Sequence, residues 1–124
     1  MSANRADLAG QMQEISAILF EEQGYVSSVD VLLRMGRLTK EDHDAWRLGK
    51  TPCLESVISL NLAKIGLILR SLKRYARSHG LRSSKTAYFS WGKGPKRQLR
   101  FSKSGKPAIE EVFATHFLKP KEGE

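Results

Sequence analysis

Residues 52–79, PCLESVISLNLAKIGLILRSLKRYARSH, carry the longest helical pattern in this 124-residue chain. A rotation of about 100° per residue puts one apolar stripe along the whole segment. The stripe consists of Leu54, Ile58, Leu62, Ile65, Leu69, Leu72 and Ala76. Thr51 and Pro52 form a helix start signal, because proline needs no amide partner at the first helical position. The pattern predicts one continuous amphipathic helix from Pro52 to about His79, and two helices broken at Asn61 are the alternative.

The helical pattern belongs to a longer stretch, residues 56–109, that contains thirteen lysines and arginines but no aspartate or glutamate. The rest of the chain holds eight basic residues against all thirteen acidic ones, so the net charge of +8 reflects segregation of charge. A surface of one sign repels itself unless a polyanion neutralises it, and nucleic acid is the commonest intracellular polyanion. Composition therefore predicts nucleic acid, either DNA or RNA, as the partner.

Length and composition limit the class of protein further. A chain of 124 residues with 40% hydrophobic content fits one domain, predicted over residues 1–118, followed by a disordered tail over residues 119–124. The single cysteine, Cys53, excludes an internal disulfide and fits the reducing cytoplasm. The longest strongly apolar run, residues 65–69, is far shorter than the roughly 20 residues that cross a bilayer. We expect a cytoplasmic protein that does not insert into a membrane.

The N-terminal segment predicts an amphipathic helix over about residues 5–23. Its apolar side chains recur at three- and four-residue spacing, Asn4 is its N-cap and Gly24 stops it. Because its polar face carries glutamates, this helix is expected to cover the core and not to contact nucleic acid. A homodimer formed through this helix is the alternative.

An αα-hairpin follows, because Ser27 and Thr39 each begin a short helix and Gly36 and Gly49 close them. The same outline describes a DNA-binding helix-turn-helix. The second helix begins with KEDHD, however, and three carboxylates near phosphates would weaken binding. We therefore interpret the pair as structural.

A β-hairpin is predicted after the long helix. Residues 85–91 alternate into the loop Gly92–Lys96, and residues 97–102 alternate back. The expected buried side is formed by Ala87, Phe89, Trp91, Leu99 and Phe101. Tyr88 is expected on the opposite, exposed side, where it is suited to stack on a base. A tyrosine that closes the rim of a small sheet is the alternative.

Pro107 predicts the start of a C-terminal helix, whose docking face is Ile109, Val112, Phe113 and Phe117. His116 is predicted beside that face as a core-edge histidine. The expected fold class is α+β and mostly α-helical: an N-terminal helix, a short αα-hairpin, one long central amphipathic helix, a wing-like β-hairpin and a C-terminal helix.

The order of a basic helix and a hairpin with a basic tip resembles that of winged-helix nucleic-acid-binding modules, over about residues 61–102. The resemblance is one of element order, and it implies contact with nucleic acid through the helix and the hairpin. Since the predicted helix is longer than a compact recognition helix, contacts to the phosphate backbone or to RNA shape are favoured over insertion into the major groove.

The candidate binding surface has two parts, both drawn from the acid-free stretch. The helix flank is Arg70, Lys73, Arg74 and Arg77, which share one side of the helical wheel. The hairpin group is Tyr88, Lys93, Lys96, Arg97, Arg100 and Lys103.

These features predict a nucleic-acid-binding protein that is not an enzyme. An inhibitor or adaptor that docks its basic face on an acidic protein is the alternative. A metal-free ribonuclease is a third hypothesis, and it requires convergence of Tyr88, Arg97, Arg100 and His116. The three histidines lie in different elements without metal-ligand spacing, so no metal and no cofactor are predicted.

Overall fold

The N-terminal helix forms as predicted in the computed structural model, which describes residues 5–120. Helix α1 spans Arg5–Gln23 and buries Leu8, Met12 and Leu19. Gly24 ends it in the left-handed region at φ 80°, where its amide donates to the carbonyl of Phe20. The proposed N-cap Asn4 and residues 121–124 of the proposed tail lie outside the described residues.

The αα-hairpin is also confirmed. Helix α2 spans Ser28–Arg34 and helix α3 spans Lys40–Arg47. The hydroxyl of Ser27 accepts a hydrogen bond from the amide of Asp30 at 3.2 Å, and that of Thr39 accepts one from the amide of Asp42 at 3.0 Å. These caps satisfy backbone donors that a helix start leaves free, so the start signals in the sequence act as expected.

The prediction of one continuous helix from Pro52 to about His79 is wrong. A 3-10 helix spans Leu54–Val57, and helix α4 spans Leu62–Ser78 with Asn61 as its N-cap. The side-chain oxygen of Asn61 accepts from the amide of Lys64 at 2.9 Å. The amide of Leu54 donates to the carbonyl of Arg100, which ties the start of the 3-10 helix to a distant segment. The break is hidden in the apolar pattern because both pieces pack on the same core.

Replacing Asn61 with alanine is expected to change the free energy of unfolding in opposite directions for the two arrangements, a helix α4 capped by Asn61 and one continuous helix. As an N-cap, Asn61 contributes about 1 kcal/mol, so N61A is expected to lower the free energy of unfolding by that amount. Inside a continuous helix the same change would raise it, because alanine is the better helix former. Urea denaturation followed by circular dichroism measures the difference, and N61D, which keeps the cap, is the control.

The β-hairpin is present only as an irregular pairing. A single bridge joins Phe89 and Gln98, and the amide of Leu99 donates to the carbonyl of Tyr88 at 2.7 Å. In the described chain, no regular ladder joins residues 86–91 to residues 97–102. The regular strand is instead β2, Arg82–Lys85, which ends at the first residue of the predicted hairpin.

Strand β2 belongs to a three-stranded antiparallel sheet that the sequence analysis did not predict. Its other strands are β1, Tyr25–Ser27, and β3, Thr115–Leu118, and the order is β1-β3-β2. Phe117 lies in the central strand β3, between Val26 and Ser83. The C-terminal helix α5 therefore ends earlier than expected, at Pro107–Ala114, and the prediction that Phe117 belongs to it is wrong.

The helices and the three-stranded antiparallel sheet confirm the α+β, mostly helical fold class. Helices and sheet share one hydrophobic cluster. Its members include Met12 of α1, Val26 of β1, Trp46 of α3, Ile68 of α4 and Phe113 of α5, each at most 1% exposed. One core thus fixes every element that carries the candidate surface.

Glu110 of α5 fixes the irregular segment to that core. Its carboxylate accepts from the amides of Phe101 and Ser102, at 2.8 and 2.7 Å, and from the Ser102 hydroxyl at 2.6 Å. Bonds from several donors to one carboxylate are stronger than bonds between neutral groups. Glu110 thereby substitutes for the ladder that this segment lacks.

Substituting Glu110 tests that role. E110Q keeps the shape of the side chain but turns an amide group toward backbone donors, and we expect a loss of about 2 kcal/mol in the free energy of unfolding. The matched change is E111Q at the next position, where the exposed ion pair with Lys85 is worth at most about 0.5 kcal/mol. Equal effects of the two substitutions in urea denaturation would contradict the assignment.

Candidate nucleic-acid interface

The cations of the acid-free stretch lie on the surface. Twelve of the thirteen are exposed, and Lys64 is partly buried. Among the described residues, Lys85 alone of these thirteen forms an ion pair, with Glu111 at 3.3 Å. The stretch therefore presents charge that the described part of the chain does not neutralise.

The two glutamates that border the stretch are already occupied by backbone amides. Glu55 accepts a hydrogen bond from the amide of Lys103 at 2.9 Å, and Glu110 accepts from the amides of Phe101 and Ser102. Both carboxylates hold the 101–103 segment in place and form no ion pair with a described lysine or arginine. The cations near the ends of the stretch are consequently not ion-paired with either glutamate.

The helix flank is exposed along α4, as the helical wheel indicated. Arg70, Lys73, Arg74 and Arg77 are all solvent-accessible. Arg70 and Lys73 also border a cleft of about 280 Å³ between α4 and α5, whose remaining lining is Gly66, Leu69, Ala108, Ile109 and Val112. The flank thus combines cations with an apolar groove.

The tip of the hairpin group is a glycine loop with three exposed cations. Gly92 and Gly94 adopt φ near 100°, a conformation that favours glycine. Lys96 donates to the carbonyl of Gly92 at 2.9 Å, which closes the loop. Lys93 and Arg97 extend from the same loop into solvent.

A basic cavity of about 220 Å³ lies beside this loop, where it meets the end of α3. Lys50, Arg97 and Arg100 supply its charge, and Gly49 and Thr51 are among its other lining residues. The Arg100 guanidinium donates to the carbonyl of Ser102 at 2.9 Å and to that of Lys103, which holds it at the rim. Three cations around one small cavity suit a phosphate group.

Sequence reasoning missed Lys50 because it lies outside the acid-free stretch and follows the most acidic helix. Lys103, in contrast, was predicted and is exposed, next to Arg100. The helix flank and the 100–103 segment both border α5, since Arg70 lines the cleft with Ile109 and Glu110 binds Ser102. Helix α5 is therefore the element that links the two parts of the surface.

Tyr88 does not lie where the sequence predicted. Its ring packs on Trp46 and Phe101, with centroid distances of 5.6 and 5.3 Å, and its hydroxyl bonds the Nε2 atom of His116 at 2.8 Å. Burial raises the pKa of Tyr88 to about 12. The expectation that Tyr88 lies on an exposed face is therefore wrong.

The exposed aromatic residues are its neighbours Phe89 and Trp91, at 47% and 45% of their surface. Phe89 and Trp91, which were expected to be buried, thus face solvent, whereas Leu99 and Phe101 are buried as predicted. An irregular pairing lets one side shift its alternation by a residue, and Tyr88 makes the larger contact with the core. The amide of Trp91 donates to the carbonyl of Arg47, which docks this side on α3.

The partly buried guanidinium of Arg47 contacts the rings of Tyr88 and Trp91. Its guanidinium carbon lies 4.8 Å from the ring centroid of Trp91 and 5.2 Å from that of Tyr88. Burial lowers the pKa of Arg47, and its Nε atom has no hydrogen-bond partner among the described residues. The flat cation is held mainly by cation–π contact with two rings.

The four side chains that the ribonuclease hypothesis requires lie in two separate parts of the structure. Tyr88 and His116 contact each other, but the cavity lined by Arg97 and Arg100 is lined by neither of them. Cys53 is buried. In the part of the chain that the structure describes, no group of three or more histidine, cysteine, aspartate or glutamate side chains could hold a metal ion.

Two further findings bear on the class of protein. Within residues 5–120, no helix has the length and apolar character needed to cross a membrane. Comparison with protein-family models, with curated proteins and with solved structures found no match to this chain.

The Tyr88–His116 contact predicts a pH dependence of stability. Burial lowers the pKa of His116 below its ordinary value of 6.5, so the unfolded chain binds the proton more readily. The contribution of neutral His116 to the free energy of unfolding should therefore be fully present above pH 6.5, and it should be lost as the pH falls from 6.5 through the pKa of His116 in the folded state. NMR titration of the imidazole should give a midpoint below 6.5. H116Q should reduce the acid-side loss, whereas H79Q, at an exposed histidine, should retain it.

Proposed function

We propose that this chain binds nucleic acid through its phosphate backbone and does not catalyse a reaction on it. The observation that carries the proposal is the exposed, acid-free surface of residues 56–109, in which a single cation is paired with a described carboxylate. Such a surface gains free energy when it displaces counterions from phosphates. The contacts come from the helix flank and from the cations of the hairpin group.

The hairpin group supplies the most concentrated part of this surface. Lys93, Lys96 and Arg97 extend from one loop, and Arg97 also lines the basic cavity with Lys50 and Arg100. The Arg97 guanidinium donates to the carbonyl of Gly49 at 3.5 Å, close to the end of α3. The partial negative charge at a helix C-terminus favours a cation there, which orients Arg97 without neutralising it.

Salt-dependent binding tests the proposal. Fluorescence anisotropy with a labelled 20-nucleotide strand, and with its duplex, should show affinity that falls linearly on a log–log plot as salt rises. The triple variant K93Q/K96Q/R97Q should weaken binding and reduce the slope by roughly two to three, at about 0.7 to 0.9 per phosphate contact. Absence of binding at low salt would contradict the proposed function.

A control variant with the same net charge separates local contacts from overall charge. R34Q/R37Q/K119Q removes three cations that lie outside the acid-free stretch, one of them ion-paired with Glu22 at 3.1 Å. We expect this variant to keep most of the slope. An equal loss in both triple variants would mean that only net charge matters.

A protein-interaction module is the second candidate, and the cleft between α4 and α5 favours it. Leu69, Ile109 and Val112 line the cleft, with Arg70 and Lys73 beside them. Apolar walls next to cations complement an amphipathic segment of an acidic partner protein. R70Q/K73Q/R74Q distinguishes the candidates: it should weaken nucleic-acid binding if the flank contacts phosphates, and leave it unchanged if the flank serves a protein.

A further inference from the structure

A second cleft lies beside the exposed indole of Trp91. Its volume is about 500 Å³, within the range of small-molecule sites. Among the described residues it is lined by Leu33, Lys40, His43, Asp44 and Trp91. One aromatic wall, one aliphatic residue and three polar groups therefore share a single surface cleft.

Trp91 is held in position although nearly half of it is exposed. Its amide donates to the carbonyl of Arg47, whose guanidinium lies over the indole ring at 4.8 Å. His43 contacts the ring edge-on, with a centroid distance of 5.7 Å and an interplanar angle of 76°. The indole is thus fixed by a backbone bond and two side chains before any ligand arrives, which reduces the ordering that binding requires.

An exposed, fixed tryptophan next to the basic loop of residues 92–97 suits a nucleobase. The carboxylates of α3 disfavour a phosphate here, but a base is uncharged and can donate hydrogen bonds to a carboxylate. Base–aromatic stacking depends on the π-face and is available only to a base that is not stacked within a duplex. Phe89, two residues away in the chain, is also exposed, so the segment presents two aromatic side chains to solvent. Both rings belong to the segment that carries Lys93, Lys96 and Arg97.

Asp44 gives the cleft a hydrogen-bond acceptor in a fixed orientation. One carboxylate oxygen bonds the Nδ1 atom of His43 and the other bonds the ammonium of Lys40, each at 2.9 Å. The hydrogen bond from Lys40 is the main cause that lowers the pKa of Asp44, so the group stays ionised and only accepts. Each oxygen keeps a further lone pair for a ligand.

Such an acceptor distinguishes bases by their donors. Guanine presents N1–H and the N2 amino group side by side, which match the two oxygens of a carboxylate. Uracil presents one N–H between two carbonyl oxygens, which the carboxylate repels. The chemistry of the cleft therefore favours guanine over uracil.

Arg47 connects this cleft to the basic cavity. Its guanidinium contacts Trp91, which lines the cleft, and it lies two residues before Gly49, which lines the basic cavity with Lys50 and Arg97. The segment 91–97 also carries a lining residue of each, Trp91 at one end and Arg97 at the other.

We propose that the cleft binds one unpaired nucleobase, stacked on Trp91 and hydrogen-bonded to Asp44, with guanine preferred over uracil. The partner is then single-stranded where it contacts Trp91. This inference rests on the proposed function, and it adds base recognition to contacts that would otherwise involve phosphates alone.

The test compares labelled heptanucleotides UUUGUUU and UUUUUUU, the DNA strand TTTGTTT, and the duplex of each guanine strand, by anisotropy at one salt concentration. The guanine strands should bind several-fold more tightly than UUUUUUU and than their own duplexes. Quenching of tryptophan fluorescence should accompany binding and report Trp91, because Trp46 is fully buried. The RNA and DNA arms show which sugar the site accepts.

Variants assign the effect to the cleft. W91A should weaken binding of UUUGUUU about tenfold or more, whereas W91F should retain most of it. D44N should bring the affinities for UUUGUUU and UUUUUUU close together. L62A truncates another exposed apolar side chain, remote from the loop in sequence, and should change nothing. Near-ultraviolet circular dichroism checks that each variant is folded.

Three results would overturn the inference. If W91A binds UUUGUUU as tightly as the wild type while the salt dependence persists, stacking on Trp91 is wrong and the proposed function survives. If single strand and duplex bind equally and W91A weakens both equally, Trp91 does not contact an unpaired base. If the wild type binds no strand at low salt, the proposed function and the inference both fail.

Discussion

The indole of Trp46 lies where separate parts of the chain meet, and their arrangement depends on its burial. Its Nε1 atom donates to the carbonyl of Arg100, and that same carbonyl accepts from the amide of Leu54. Its ring packs on Tyr88 and Phe101, and Phe101 in turn stacks on Phe113 of α5 at 12°. A buried aromatic that also satisfies its polar atom is among the strongest anchors available to a small core. Helix α3, the 3-10 helix, the irregular segment and α5 are all positioned by this one side chain and its neighbours.

This anchor explains how a segment with almost no regular pairing can carry a defined surface. Residues 88–101 form one bridge, and their other contacts are to side chains and to the ends of distant elements. Glu55 and Glu110 complete the arrangement by accepting from backbone amides. Both carboxylates keep their negative charge, but their oxygens accept from backbone amides and form no ion pair with a described lysine or arginine. The bonds that fix the segment therefore leave the side chains of its cations free of ion pairs with these two glutamates.

Much of the fold could be predicted from local signals. Caps at Ser27 and Thr39, the stop at Gly24 and the start at Pro107 depend on a few adjacent residues, and each forms as expected. The break before α4 could not be seen in the periodicity, because Leu54 and Ile58 before Asn61 and Ile65 after it pack on one core, and only Leu62 of the predicted stripe is mostly exposed. Strands of three or four residues, such as β1 and β3, depend on partners about 90 residues apart and carry almost no pattern of their own.

The candidate surface divides in the same way. The cations could be found from composition, since an unpaired lysine or arginine is nearly always exposed. The aromatic residues could not, because the choice between Tyr88 and its neighbours Phe89 and Trp91 is a shift of one residue, and it reverses every side chain. The contact between Arg47 and Trp91 joins residues 44 positions apart and has no signature in the sequence. It is decided by how the loop docks on α3.

Arg47 lies between two rings that belong to different environments, Tyr88 facing the core and Trp91 facing solvent. One side chain therefore contacts a ring of the interior and a ring of the surface. By thermodynamic linkage, a ligand that binds the indole only in the folded state stabilises the whole fold, by an amount that grows with the ratio of its concentration to its dissociation constant. The exposed loop is thus in direct contact with the core through Arg47, although scarcely any regular secondary structure connects them.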